Sequence, residues 1–470
     1  MQRFFPRRAL MAGLRAVAAN RVTQGSWVVN TSRSFSESVP RRNREDKEER
    51  KWSTPLAKQL AEAISMTGPI PLASYMRMCL TGDIDGYYTG LAEENRDQFG
   101  LKGDFVTSPE ISQIFGELVG VWFVAEWLSQ GKPKRGVELV EVGPGRGTLM
   151  DDMLRTMQNF KEFASSIDAI YMVEASPQLR EAQKNLLCGP DAPMTESKVG
   201  YHSVCKYESL PIVWTETIKS IPCDPDKMPL IMAHEFFDAL PIHAFQAVTV
   251  QPPPREPATS NASSTIPAEG KPKVEWREML VSPTPPDATH ETMNIPKSEQ
   301  GDPIPDFQMT LSTGPTRHSR YLPESSSRYS RLKSIPDAVA EICADASLYA
   351  ADFASRIGGP FADPGLVDLS ADVDFTAIAE AATRSSEGVE VHGPVDQGAF
   401  LGQMGIKERA EVLMRQAGAK GVADKAQDIE KAWKRLTDRG PGGMGKVYKA
   451  MAILPENEGR RRPVGFGGDV

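Results

Sequence analysis

Apolar runs of strand length alternate with apolar positions at helical spacing along the middle of this chain, and residues 137–157 hold the clearest pair. Val137-Glu138-Leu139-Val140-Glu141-Val142 has the length and β-branched content of a strand covered on both faces. Leu149, Met150, Met153, Leu154 and Met157 follow at helical spacing, with three glycines at alternate positions, Gly143, Gly145 and Gly147, between the two runs. The unit is therefore strand, glycine turn, helix. Further strands are expected at 169–173, 212–214 and 229–233, with a helix over 177–187 and a loop over 190–198. Such alternation predicts an α/β fold with a parallel sheet.

Flanking segments read differently. Leu56, Leu60, Ala63 and Ile64 share one helical face, Thr67-Gly68-Pro69-Ile70-Pro71 breaks it, and a short helix follows over 72–80. Ser108-Pro109 opens a helix whose apolar face is Ile111, Ile114, Phe115, Leu118, Val119, Trp122 and Ala125. Its polar end, with Thr107, Ser108, Glu110 and Gln113, is either ordinary capping or part of a lid over a ligand. Residues 251–330 are rich in Pro, Ser and Thr and predict loop, apart from 274–281 and 307–311, which can pair as a hairpin. One amphipathic helix is expected over 334–355, then a helix over 376–382, a strand over 389–391, helices over 399–414 and 426–436, and a closing strand over 445–454.

Composition narrows the class. Lys plus Arg number 54 against 62 Asp plus Glu, a net charge of −8, which gives no sign of a nucleic-acid surface. Cys79, Cys188, Cys205, Cys223 and Cys343 are scattered, with no C-x-x-C pair and no neighbouring histidine at ligand spacing, so no metal is expected and the thiols suit a reducing compartment. No apolar stretch is long enough to span a bilayer. Residues 1–35 differ again: Arg3, Arg7, Arg8, Arg15, Arg21 and Arg33 stand among apolar residues with no lysine and no acid. That pattern predicts a mitochondrial transit peptide, ending near Arg33-Ser34-Phe35-Ser36. The segments are then 1–35 transit peptide, 36–54 charged linker, 55–130 N-terminal helical cap, 131–250 cofactor-binding core, 251–333 insert, 334–456 C-terminal part of the same domain and 457–470 tail.

Chemistry gathers at strand ends. Glycine lets backbone approach a ligand closely, and a helix start favours an anionic group. The spacing here is G-x-G-x-G, not the dinucleotide G-x-G-x-x-G, and the next strand ends in Glu174, a carboxylate able to accept both ribose hydroxyls. An adenosine-type cofactor fits this pattern; a plain tight turn is the other reading. At the end of the 229–233 strand comes His234-Glu235-Phe236-Phe237-Asp238-Ala239-Leu240-Pro241, either a substrate site or a surface turn. Ligands in open parallel sheets sit at the carboxyl ends of strands, which favours the site.

With these segments in hand the chain resembles the MidA family, the mitochondrial protein-arginine methyltransferases that assist assembly of respiratory complex I. The motifs are GDFVTSPEISQIFGE (103–117), VELVEVGPGRGTLMDDML (137–154), AHEFFDALPIHAFQ (233–246), DPGLVDLSADVDF (363–375) and FLGQMGI (400–406). The resemblance implies a class I, Rossmann-like methyltransferase fold, S-adenosyl-L-methionine as cofactor, the matrix as location, and symmetric dimethylation of an arginine on the 49 kDa complex I subunit. On that reading Gly143, Gly145 and Gly147 hold the methionine end, Glu141 faces its ammonium and Glu174 fixes the ribose. Glu235 and Asp238 orient the substrate guanidinium with fork-shaped hydrogen bonds, and His234 takes the proton after transfer. One departure stands out. Where the family has a further buried strand after the Gly-Gly pair, Gly358-Gly359 here passes almost directly to Asp363-Pro364-Gly365, so one central strand is expected to be missing. Rival readings are a small-molecule methyltransferase of the same fold, an assembly chaperone without catalysis, and a nicotinamide dehydrogenase, which the glycine spacing disfavours.

Overall fold

The computed structural model describes residues 50–82, 86–87, 106–251, 272–293, 303–358, 372–420, 422–460 and 462–467. The segment read as a transit peptide (1–35), most of the expected charged linker, GDF of the 103–117 motif and the DPGLVDLSA part of DPGLVDLSADVDF lie outside the described residues. In chain order the helices and strands are α1 (Pro55–Thr67), β1 (Ile70–Pro71), α2 (Leu72–Thr81), α3 (Ser108–Ile111), α4 (Gln113–Ser129), β2 (Val137–Val142), α5 (Thr148–Met157), α6 (Lys161–Ala164), β3 (Ile167–Val173), α7 (Pro177–Leu187), β4 (Thr195–Glu196), β5 (Tyr201–Val204), β6 (Pro211–Thr215) and β7 (Met228–Ala233). They continue as β8 (His243–Val250), β9 (Lys273–Pro283), β10 (Phe307–Leu311), α8 (Arg317–Tyr321), α9 (Ser327–Leu332), β11 (Val339–Ile342), α10 (Ala344–Gly358), α11 (Phe375–Ser385), β12 (Val389–Asp396), α12 (Gln397–Gln403), α13 (Ile406–Ala419), α14 (Ala423–Thr437) and β13 (Lys449–Pro455).

The chain divides into two compact units: residues 1–75 with 243–342, and residues 76–242 with 343–470. The larger unit is built on a six-stranded sheet of order β4-β5-β6-β3-β2-β7, in which β6, β3, β2 and β7 are parallel, β5 runs antiparallel to β6, and β4 runs antiparallel to β5. Alternate side chains of each strand enter opposite faces. Leu139, Ile170, Met172, Ile212 and Trp214 pack with Ile114 and Leu118 of α4 and with Met150, Met153 and Leu154 of α5. Val140, Val142, Tyr171, Val173 and Val213 pack on Tyr349, Ala350 and Phe353 of α10. The result is the three-layer α/β architecture that the apolar runs predict.

The sheet ends on β7 among the described residues, while β12 and β13 form a two-stranded antiparallel ladder of their own. Residues 359–371, where a central strand is expected to be missing, lie outside the described residues.

The smaller unit is antiparallel. β8 pairs with β9 and β11, and β9 also pairs with β10 and β1. The hairpin expected from 274–281 and 307–311 is the β9–β10 pair. Phe245, Ala247, Trp276, Tyr329, Ala340 and Ile342 form its core.

Three helical expectations are corrected. The helix over 334–355 is in fact a strand and a helix: Asp337 takes φ +56, Val339–Ile342 pairs with β8 residues 243–246, and helix resumes at Ala344. Edge pairing with Ala340 and Ile342 buried prevails there over helical periodicity. The helix opening at Ser108 is broken at Ser112, which is extended (φ −158) and caps α4 by accepting from Ile114 N–H. The single helix over 399–414 is two, parted by Gly405 at φ +82, a backbone state that glycine adopts without steric cost.

Candidate active site

Within the larger unit the chemistry lies where three parallel strands end side by side. Val142 is in register with Val173 on one side and Ala233 on the other, so the residues that follow, Gly143, Glu174 and His234, emerge together. Gly143, Gly145 and Gly147 have φ of +67, +52 and +85, which explains the alternate glycines: each lies in the left-handed region that L side chains avoid. A Cβ on Gly143 would meet Phe236 Cδ2 at 2.9 Å, and one on Gly147 would meet Gln183 Cγ at 3.2 Å. Gly147 N–H donates to Pro144 O (2.8 Å), closing the turn just before α5.

Glu141, with 2% of its surface exposed, points from β2 into this turn. Burial first, then the nearby Glu174 carboxylate, raises its pKa to about 8, opposed by a hydrogen bond from Met150 N–H in the first turn of α5. Its Oε2 is buried with no hydrogen-bond partner. Glu174 lies directly after β3; Oε1 accepts from Ser176 N–H (2.8 Å) and Oε2 from Gln183 Nε2 (3.1 Å). Burial pushes its pKa up to about 7 despite those bonds.

His234 follows β7, its ring centroid 4.9 Å from that of Phe115. Burial lowers its pKa to about 4, so the ring is neutral at pH 7. Glu235 takes φ +49, rare for a residue with a side chain, and its Oε1 lies 3.5 Å from His234 Nε2 and accepts from Ser108 N–H (3.3 Å). The interruption at Ser112 leaves Ser108 and Glu110 on their own short turn, where Glu110 Oε1 accepts from Thr148 Oγ1 (2.6 Å) at the start of α5. Phe236 packs edge-on against Phe237 (5.6 Å) and Tyr349 (4.8 Å), and Asp238 occupies a 3-10 turn, Phe237–Ala239. The structure thus brings the glycine turn, Glu141, Glu174 and His234–Asp238 to one rim.

Gln183 is the residue that sequence reasoning missed. Fully buried in α7, it donates to Gly145 O (2.6 Å) and Glu174 Oε2, and accepts from Trp214 Nε1 (2.9 Å). The signal was an amide on the apolar side of a helix, in phase with Leu187.

An adenosine-type amino-acid cofactor fits this rim on two counts: a buried carboxylate oxygen without a partner, and a glycine cradle that a side chain would fill. A parallel sheet with that cradle at its carboxyl edge defines a class I S-adenosylmethionine-dependent methyltransferase. The sequence profile of the family described as "Putative S-adenosyl-L-methionine-dependent methyltransferase" matches residues 118–359. The chain is 35% identical over 416 residues to the Drosophila melanogaster protein arginine methyltransferase NDUFAF7 homolog, mitochondrial, covering 85% of each. With the Homo sapiens protein arginine methyltransferase NDUFAF7, mitochondrial, it shares 31% identity over 437 residues, 86% of this chain and 84% of that one. A Burkholderia thailandensis protein crystallised with S-adenosyl-homocysteine has the same fold, with a TM-score of 0.55 and 19% identity over 88% of this chain and 92% of that one. The chain belongs to this S-adenosyl-L-methionine-dependent methyltransferase family, and its cofactor is S-adenosyl-L-methionine.

Proposed function

We propose that this protein is a mitochondrial matrix protein-arginine N-methyltransferase that symmetrically dimethylates an arginine of the 49 kDa subunit of respiratory complex I and so supports assembly of that complex. The relatives' names support the arginine and the mitochondrion. The observation that carries the reading is the carboxylate pair Glu235 and Asp238 at the strand end adjoining the glycine cradle.

Glu141 would hold the cofactor's ammonium on its partnerless oxygen, Glu174 its ribose, and Gly143, Gly145 and Gly147 admit its backbone-facing edge. When bound, S-adenosyl-L-methionine supplies an electrophilic methyl group. Arginine is a weak nucleophile because its guanidinium stays protonated, so the chain's task is to orient it and build electron density on one nitrogen. Glu235 and Asp238 do so by accepting fork-shaped hydrogen bonds. Ser108 N–H donates to Glu235 Oε1 (3.3 Å) and so helps to orient that carboxylate. The sequence suggests His234 as acceptor of the shed proton, but burial lowers that ring's pKa to about 4 and makes it a weak base, so in this reading the proton goes to Glu235, whose Oε1 lies 3.5 Å from His234 Nε2. Phe236 and Phe237 wall the site.

Calorimetric titration of S-adenosyl-L-methionine into the full chain, with Gly145→Val as control, tests the cofactor half; binding that the control abolishes is the expected result. Product analysis on complex I peptides against small-molecule acceptors tests the substrate half. Retained turnover in both Glu235→Gln and Asp238→Asn would refute the assignment of the carboxylates. A second reading, an assembly chaperone without catalysis, draws on the sheet ending at β7. A well-folded chain that binds no cofactor would overturn the first reading and favour this one.

A further inference from the structure

We propose that His243, Glu278 and His318 form a binding site for a divalent transition-metal ion of the zinc type, in the smaller unit. Sequence spacing conceals it, because Glu278 is 35 positions from His243 and 40 from His318. Pairing of β8 with β9 and the position of α8 bring the three together.

The donor set suits such an ion. One ligand atom from each residue lies within 4.8 Å of the other two. His243 Nδ1 is 3.0 Å and His318 Nδ1 3.1 Å from the same carboxylate oxygen, Glu278 Oε1, and the two rings are 4.3 Å apart between centroids. Zinc bonds of roughly 2.0–2.1 Å in tetrahedral geometry separate ligand atoms by about 3.3 Å, so each of the two N···O contacts opens by a few tenths of an ångström to admit the ion. As hydrogen bonds alone, the same contacts ask two imidazoles to crowd their N–H donors onto one oxygen. A cation between them replaces two protons with one centre and lets all three groups act as donors of lone pairs.

The surroundings orient the carboxylate as outer-shell partners orient metal ligands. Glu278 is 1% exposed, and its second oxygen accepts from Thr316 Oγ1. Its backbone N–H donates to Ser312 Oγ (3.0 Å), and Thr316 itself caps α8 in a capping box with Ser319. His318 is 43% exposed, so the fourth position of a tetrahedral ion opens to water. Two neutral-imidazole nitrogens, one carboxylate oxygen and a solvent position are a borderline-soft set that suits Zn²⁺ over Ca²⁺ or Mg²⁺.

The test uses the full chain without an affinity tag. Zn²⁺ is titrated in competition with a chromogenic chelator, and Co²⁺ is added in parallel for its visible spectrum. The expected result is about one equivalent bound, with the intense bands of four-coordinate Co²⁺. His318→Ala and Glu278→Gln each lower Zn²⁺ affinity by about a hundredfold or more and remove those bands. His202→Ala, on β5 of the larger unit, changes neither. His318→Ala removes a half-exposed ring and Glu278→Gln keeps the side chain's size, so circular dichroism of each is expected to match the parent. Absence of stoichiometric binding, or Zn²⁺ affinity and Co²⁺ bands unchanged in folded His318→Ala, overturns the proposal.

Discussion

Glu141 combines the two properties a cation site needs, burial and an oxygen with nothing to accept from. Its pKa of about 8 means that at neutral pH the empty site holds a proton. An incoming ammonium favours the ionised form, so cofactor binding at pH 7 is expected to release a proton. Calorimetry in buffers of different ionisation enthalpy measures that release, and Glu141→Gln is expected to lose it along with at least about tenfold in affinity. Stability carries the same signature. The folded carboxyl keeps its proton up to about pH 8 whereas the unfolded one loses it near its ordinary value of 4.5, so this group's contribution falls as pH rises across that window. Urea unfolding at several pH values is expected to show a shallower decline in Glu141→Gln. Gly143→Ala meets two costs at once, a left-handed φ and a Cβ 2.9 Å from Phe236. It is expected to destabilise the chain by about 1–2 kcal/mol and to weaken cofactor binding, as read by thermal melting with and without S-adenosyl-L-methionine.

At the scale of elements, α7 does more than cover the sheet. Through Gln183 it fastens the glycine turn to the end of β3 and to Trp214 on β6. Gln183→Leu has similar bulk but strands two acceptors and an indole N–H in the interior, so a loss of about 3 kcal/mol is expected in urea unfolding, with weaker cofactor binding. The break between α3 and α4 has a comparable local origin. Ser112→Ala removes the cap of α4 and is expected to cost about 1 kcal/mol. Such features were hidden in the sequence for a physical reason. Periodicity reports which face is apolar, but Ser112, Asp337 and Gly405 stop helices through single backbone torsions that leave the apolar pattern around them intact.

Across the whole molecule, the larger sheet ends on β7 among the described residues and β12 pairs there with β13, while the gap expected after Gly359 lies outside the described residues. We propose that the native protein carries further residues between Arg356 and Phe361 that supply the strand. Mass spectrometry of a tryptic digest of the native protein tests this: the peptide 357–384 is expected to be absent, and its recovery would show that the sheet does without that strand.

Several features were determined by the sequence alone. Val137-Val142, the alternate glycines and Glu174 suffice for strand, turn, helix and an adenosine-type cofactor, because a strand buried on both faces and a turn of positive φ admit few residue types. Tertiary structure decided the rest. It left an oxygen of Glu141 without a partner, placed Gln183 beneath the turn, turned 339–342 into a sheet edge, and brought His243, Glu278 and His318 within reach of one another. These depend on contacts between residues far apart in the chain, and local spacing carries no record of which distant groups the sheet register will bring together.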